Sequence, residues 1–360
     1  MKRIYAIDFI RWVLALAIVY FHVLHASIVP YVPKESVYLH LRELSDYAAV
    51  IVECFFILSG FFFAKTFCRH SDFTMYDFAK HRFTRLWPVL AFYFIVMFFF
   101  FGGKFYQTVY NLAFLQCIGL TASMHGITWY ISPLFWASLL YFGLFKCITS
   151  KQRRNLVIGI LVYLGYMANM SAVRGGFSRV VVYGVVSLAL ARALAGMGMG
   201  ILICEWSHAM HERRGEGCMH LMSSVVCSLI ELSSIVLLVI DFFCKPLANQ
   251  NQFIVVIAFS FLLLALSLGD GIFYRALNRK WLGFFGRYSY SVYVMQSVSF
   301  GLLAKIFWSR HKDFIAENPA ITITVSVIAS AIIGIIVYYC VERPSIRLFS
   351  ARTQNHRQQF

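Results

Sequence analysis

Arg11 and His22 share one apolar stretch, Ile10 to Val29, with no charged residue between them. A bilayer crossing takes about 20 apolar residues, so this stretch is long enough to span. A cation and an imidazole inside such a span are costly and seldom left without a role. Eleven helical steps of about 100° make three turns and about 20°, which puts both side chains on one face, about 16 Å apart. Asp8 and His25 extend the same stripe by three residues at either end. The cation suits an anionic group and the imidazole suits proton transfer or nucleophilic attack.

Depth arithmetic adds a partner. With the N-terminus in the cytoplasm, His22 lies about 10 Å and Glu53 about 9 Å from the outer face, by a rise of 1.5 Å per residue. A carboxylate at that depth on the next helix could orient His22 as a general base, or could form an ion pair that only ties two helices together. His25 reads as a supporting or pore-lining residue. Arg82 and Arg85, in His81-Arg82-Phe83-Thr84-Arg85-Leu86-Trp87-Pro88, mark the cytoplasmic start of a third span. Their spacing of three aims both guanidinium groups to one side, fit to clamp a phosphate or to rest on lipid headgroups. Arg11 makes a third cation on that side. Arg192 stands in mid-span and requires an anionic or carbonyl partner, for which Glu231 is one candidate. Trp129 and Tyr130 open a fourth span at the outer face, as aromatic-belt anchors or as a sugar-binding face.

The elements that must position these residues follow from composition. Of 360 residues, 60% are hydrophobic and 13% charged, and mean hydropathy is +0.71. Soluble domains carry about 25% charged residues. The chain therefore reads as an all-α polytopic membrane protein. Ten spans are expected, at roughly 10–29, 47–66, 86–102, 129–147, 156–170, 180–203, 222–243, 253–269, 288–308 and 321–341. The shorter stretch 105–120 reads as an interfacial or re-entrant helix. Of the 32 Lys and Arg residues, 21 fall in the inner segments of this scheme and 8 in the outer ones. That bias places both termini in the cytoplasm. The first apolar run lacks a small-x-small cleavage site and reads as a retained span. The chain divides into one transmembrane domain over residues 1–345 and a cytoplasmic tail, 346–360. The net charge of +16 sits in short loops, which argues against nucleic acid as partner and leaves lipid headgroups or an anionic cytosolic substrate. The nine cysteines show no metal-ligand spacing and no pairing pattern, so no metal is expected.

Several segments together resemble the membrane-bound acyltransferase-3 family, known for bacterial polysaccharide O-acyltransferases. Arg11 followed by His22 is similar to the family's Arg-x10-His signature, and Val52-Glu53-Cys54-Phe55-Phe56-Ile57-Leu58-Ser59-Gly60-Phe61 to its second-span segment. Arg82-x-x-Arg85, Trp129-Tyr130-Ile131-Ser132, Gly286-Arg287-Tyr288-Ser289-Tyr290-Ser291-Val292-Tyr293 and Val341-Glu342-Arg343-Pro344 resemble four more. There are departures. Val23 and Gln296 stand where the family often has His, and Glu53 where Asp is frequent. The resemblance implies transfer of an acyl group, usually acetyl from cytosolic acetyl-CoA, to a hydroxyl of an envelope glycan or lipid-linked sugar. It also implies a bacterial inner-membrane location.

On that reading Arg11, Arg82 and Arg85 hold the CoA phosphates, His22 is the base or transient acyl carrier, and Glu53 orients it. Asp8, His25, Trp129, Tyr130 and Arg192 support substrate or structure. A proton-coupled transporter or flippase would also use intramembrane Arg, His and Glu, but no inverted repeat or paired broken helix is visible.

Overall fold

The structure is a computed structural model and describes residues 3–25, 48–67, 72–102, 105–118, 126–172, 177, 181–182, 186–215, 224–243 and 252–348. The helices are α1 (Tyr5–Val23), α2 (Ala48–Phe67), α3 (Met75–Phe101), α4 (Phe105–Leu112), α5 (Ile131–Cys147), α6 (Lys151–Ala172) and α7 (Leu188–Gly215). They continue as α8 (Ser224–Phe243), α9 (Phe253–Leu268), α10 (Ile272–Leu277), α11 (Lys280–Phe285), α12 (Ser289–Ile306), α13 (Lys312–Glu317) and α14 (Pro319–Val337). A π-turn, Tyr338–Glu342, prolongs α14. Sheet pairing among the described residues is confined to Val181–Val182 against Val186–Ser187.

Among the described residues, seven helical segments are long and apolar enough to cross a membrane: Tyr5–Val23, Val50–Phe67, Met75–Phe101, Lys151–Ala172, Leu188–Arg213, Lys280–Arg310 and Pro319–Leu348. Three of the ten expected spans fall instead on shorter helices, namely Ser224–Ile240, Phe253–Leu268 and the 17-residue α5. Large apolar side chains such as Ile95, Phe99, Leu164, Leu229, Phe261 and Ile328 point outward, as a lipid-facing surface requires.

Two boundaries differ from expectation, for identifiable reasons. The third helix starts at Met75, because Thr74 and Asp77 form a reciprocal capping box (Asp77 N–H to Thr74 Oγ1, 3.1 Å; Thr74 N–H to Asp77 Oδ2, 3.2 Å). Arg82 and Arg85 therefore sit inside the helix rather than at its start. In the sixth expected span, 180–203, Val181–Val182 and Val186–Ser187 are extended. Its β-branched valines favour that conformation, and α7 runs only from Leu188, through the expected inner loop, to Gly215. The stretch 105–120 forms the eight-residue α4, then an irregular segment with positive φ at Phe114 and Cys117. Of the expected tail, the described residues reach only position 348.

The core is set by close approach of α2 to α7. A Cβ on Gly60 would collide with the Met197 backbone, and one on Gly200 with the Ile57 carbonyl. Small residues at such crossings let the backbones touch where no water drives association. Two stripes on α2 then face different ways. Glu53, Phe56, Ile57 and Gly60 turn toward α7, while Phe55, Leu58, Ser59 and Phe62 line a cavity.

Candidate functional site

The cavity, about 540 Å³, is enclosed by the start of α1, the cavity stripe of α2, the first turns of α3, and the segment from Arg287 to Tyr293 with Glu342. Six Lys and Arg side chains line it (Arg3, Arg11, Lys65, Arg82, Arg85 and Arg287), against two carboxylates, Asp8 and Glu342. Both carboxylates are engaged. Asp8 takes Arg3 Nε at 2.7 Å and lies 3.9 Å from Arg11. Glu342 accepts the Ser291 hydroxyl at 2.5 Å. Arg82 and Arg85 have no ion-pair partner among the described residues. The cavity thus carries an excess of positive charge, a chemistry suited to phosphates and other anions.

The helices hold these groups by backbone contacts. Arg11 donates from Nε (3.2 Å) and Nη2 to the Gly286 carbonyl, which also accepts the Ser289 hydroxyl at 2.9 Å. Gly286 is required there, since a Cβ would run into the Asp8 backbone. Tyr290 donates to the Leu86 carbonyl at 2.6 Å and so ties α12 to the arginine-bearing α3. Ser291 and Glu342 join the two C-terminal signature segments directly. The π-turn at Tyr338–Glu342 places Glu342 toward the cavity, and such single-turn irregularities recur at functional sites.

Three aromatic rings, Phe55, Tyr130 and Tyr293, line the cavity together. Tyr130 and Tyr293 meet edge-on at 4.7 Å, and Phe55 meets Tyr293 at 6.0 Å. Tyr293 donates to the Ile127 carbonyl at 2.6 Å. One helical turn further along α12, Gln296 Nε2 donates to the Tyr293 carbonyl at 2.8 Å, and Gln296 Oε1 lies 3.0 Å from His22 Nδ1. His22 is therefore linked through Gln296 to Tyr293, a lining residue, although it does not line the cavity itself.

The expected contact between His22 and Glu53 is not formed. Glu53 Oε1 takes Arg192 Nε at 2.5 Å in a pair that is 0% and 1% exposed, and Glu53 Oε2 has no hydrogen-bond partner among the described residues. Glu53 belongs instead to the α2 stripe that turns toward α7. The alternative partner for Arg192 is excluded as well, because Glu231 accepts the Phe273 and Tyr274 N–H groups at 2.8 and 3.2 Å at the start of α10. Trp129 and Tyr130 are buried rather than forming an outer belt. The Arg192 guanidinium lies 4.7 Å over the Trp129 ring, and Tyr130 lines the cavity. A 3-10 turn, Thr128–Tyr130, insets both rings against Phe56. His25 is exposed at the end of α1, with no hydrogen bond among the described residues.

The spacing argument located Asp8, Arg11, Arg82 and Arg85, which share one cavity. It did not single out Tyr290 and Tyr293, which line the same cavity, or Gln296, which bonds to Tyr293. Their signal was present in the spacing: Tyr290, Tyr293 and Gln296 follow at three-residue steps, one face of a helix.

No curated protein and no solved structure matches the chain. A family model described as an acyltransferase domain matches residues 4–340, a range that takes in Arg11, His22, Arg82, Arg85 and Gln296. On this near full-length match the chain belongs to the acyltransferase-3 family, as a membrane acyltransferase.

Proposed function

We propose that the protein is an O-acyltransferase of the bacterial inner membrane. It takes an acyl group, acetyl by default, from cytosolic acyl-CoA and passes it to a hydroxyl of an envelope carbohydrate or lipid-linked sugar. Both termini are cytoplasmic, and the three shorter helices complete ten spans. One observation carries this reading: aromatic rings including Tyr293 line a cation-rich cavity, and Gln296, one helical turn beyond Tyr293, holds His22.

The roles follow from the geometry. Arg11, Arg82 and Arg85 hold the phosphates of CoA, with Asp8 fixing Arg11 and Arg3. The thioester end extends along the α12 face toward Tyr293. The acceptor approaches His22 from the other side, where His25 and the outer end of α1 lie. His22 removes the hydroxyl proton, and the oxygen attacks the thioester carbonyl carbon. The carbon–sulfur bond breaks, and the proton held by His22 leaves on the sulfur as the free thiol. Glu53 and Arg192 act as a structural pair behind this site, with Trp129 packed on the guanidinium.

Proteoliposomes given acyl-labelled acyl-CoA and candidate glycans test the proposal. Label recovered on sugar hydroxyls, lost in His22→Ala, supports it. Glycan translocation without label transfer would identify a carrier instead.

A further inference from the structure

We infer that Gln296 is a positioning residue that fixes which nitrogen of His22 carries the proton. The inference rests on His22 being the base, and it begins with a donor and acceptor count. The Tyr293 carbonyl can only accept, so the Gln296 nitrogen must face it, at 2.8 Å. The Gln296 oxygen then faces His22 Nδ1, at 3.0 Å. Two acceptors cannot bond, so Nδ1 carries the hydrogen. A neutral imidazole has one N–H, which makes Nε2 the basic nitrogen. The network thereby assigns both an amide orientation and an imidazole tautomer.

The amide is held firmly enough to do this. Gln296 is fully buried, and Tyr293 is pinned through its hydroxyl to the Ile127 carbonyl. Beneath it, Val292 packs so closely on α14 that only glycine fits at position 334. A neutral amide orients the ring without adding an ion at membrane depth, where unpaired charge is expensive. Gln296 thus fills the orienting place that the depth argument gave to Glu53.

Selective 15N-histidine labelling reads the tautomer directly, with His22→Gln used to assign the signal. The expected result is an Nδ1–H tautomer in the intact protein that is lost in Gln296→Met. In transfer assays, Gln296→Met should lower kcat about tenfold or more while changing the KM for acyl-CoA less than about twofold. Gln296→Glu should recover much of kcat, because a carboxyl group, protonated or not, offers Nδ1–H an acceptor. An Nε2–H tautomer in the intact protein overturns the inference, as does a Gln296→Met variant with unaltered tautomer and kcat. If Gln296→Met gives no monodisperse protein, the tautomer of the intact protein decides alone. Full transfer by His22→Gln would instead remove the general-base reading, and the tautomer measurement would still report on Gln296.

Discussion

At the scale of single residues, charge and burial separate two kinds of arginine. Arg82 and Arg85 line a cavity and form no ion pair among the described residues, whereas Arg192 is sealed against Glu53. The first kind should act on substrate. A charge-assisted hydrogen bond is worth about 1.5–3 kcal/mol, so Arg85→Ala should raise the KM for acyl-CoA about tenfold or more and lower kcat less. Arg85→Lys should recover only part, since an ammonium cannot clamp a phosphate in bidentate fashion. Initial-rate kinetics in proteoliposomes distinguish the two effects. The second kind should act on folding. Arg192→Met strands a buried carboxylate, a change that typically costs about 3–5 kcal/mol, and should sharply lower the unfolding temperature in detergent. The double variant Glu53→Leu with Arg192→Met should regain most of that loss and retain acyl transfer. Loss of transfer in a well-folded double variant would return Glu53 to the chemistry.

At the scale of elements, α2 shows what a sequence does and does not carry. Its apolar length and the glycines at 60, 196 and 200 announce a tightly packed membrane helix. Depth along the axis is countable from the sequence, and that arithmetic set His22 and Glu53 level. Rotation about the axis is set by the neighbour, and the backbone contact with α7 turns Glu53 away from α1. The Thr74–Asp77 capping box was legible as a helix start, and the valines before α7 as extended chain, yet apolar content alone overrode both signals. Asp8, Arg11, Arg82 and Arg85 were legible because each spacing falls within one helix. Gln296 was not, because its meaning comes from a contact 274 residues away in sequence. The α2–α7 crossing yields its own prediction. Gly200→Leu cannot be accommodated against the Ile57 carbonyl, so folded yield after detergent extraction should collapse, while Gly159→Leu, facing open space, should extract normally.

At the scale of the whole molecule, net charge becomes a property of substrate capture. The cavity gathers six cations against two carboxylates, so attraction for a multiply charged donor should weaken as salt screens it. The KM for acyl-CoA should rise several-fold between about 0.05 and 0.5 M salt. An acyl-pantetheine lacking the nucleotide phosphates should show almost no such dependence, and equal dependence for both would place the phosphates elsewhere.

The ring layer of Phe55, Tyr130 and Tyr293 bears on a different demand. A bilayer that stores an ion gradient cannot tolerate a continuous column of water through a protein embedded in it. Here a charged cavity is lined by contacting aromatic rings, and from Tyr293 a hydrogen-bonded path runs through an amide to an imidazole. On the proposed function these rings would act as electrical insulation, letting an acyl group change sides while protons and small cations do not. Vesicles carrying Tyr130→Ala with Tyr293→Ala should discharge a pH gradient faster than vesicles carrying the intact protein, before any substrate is added.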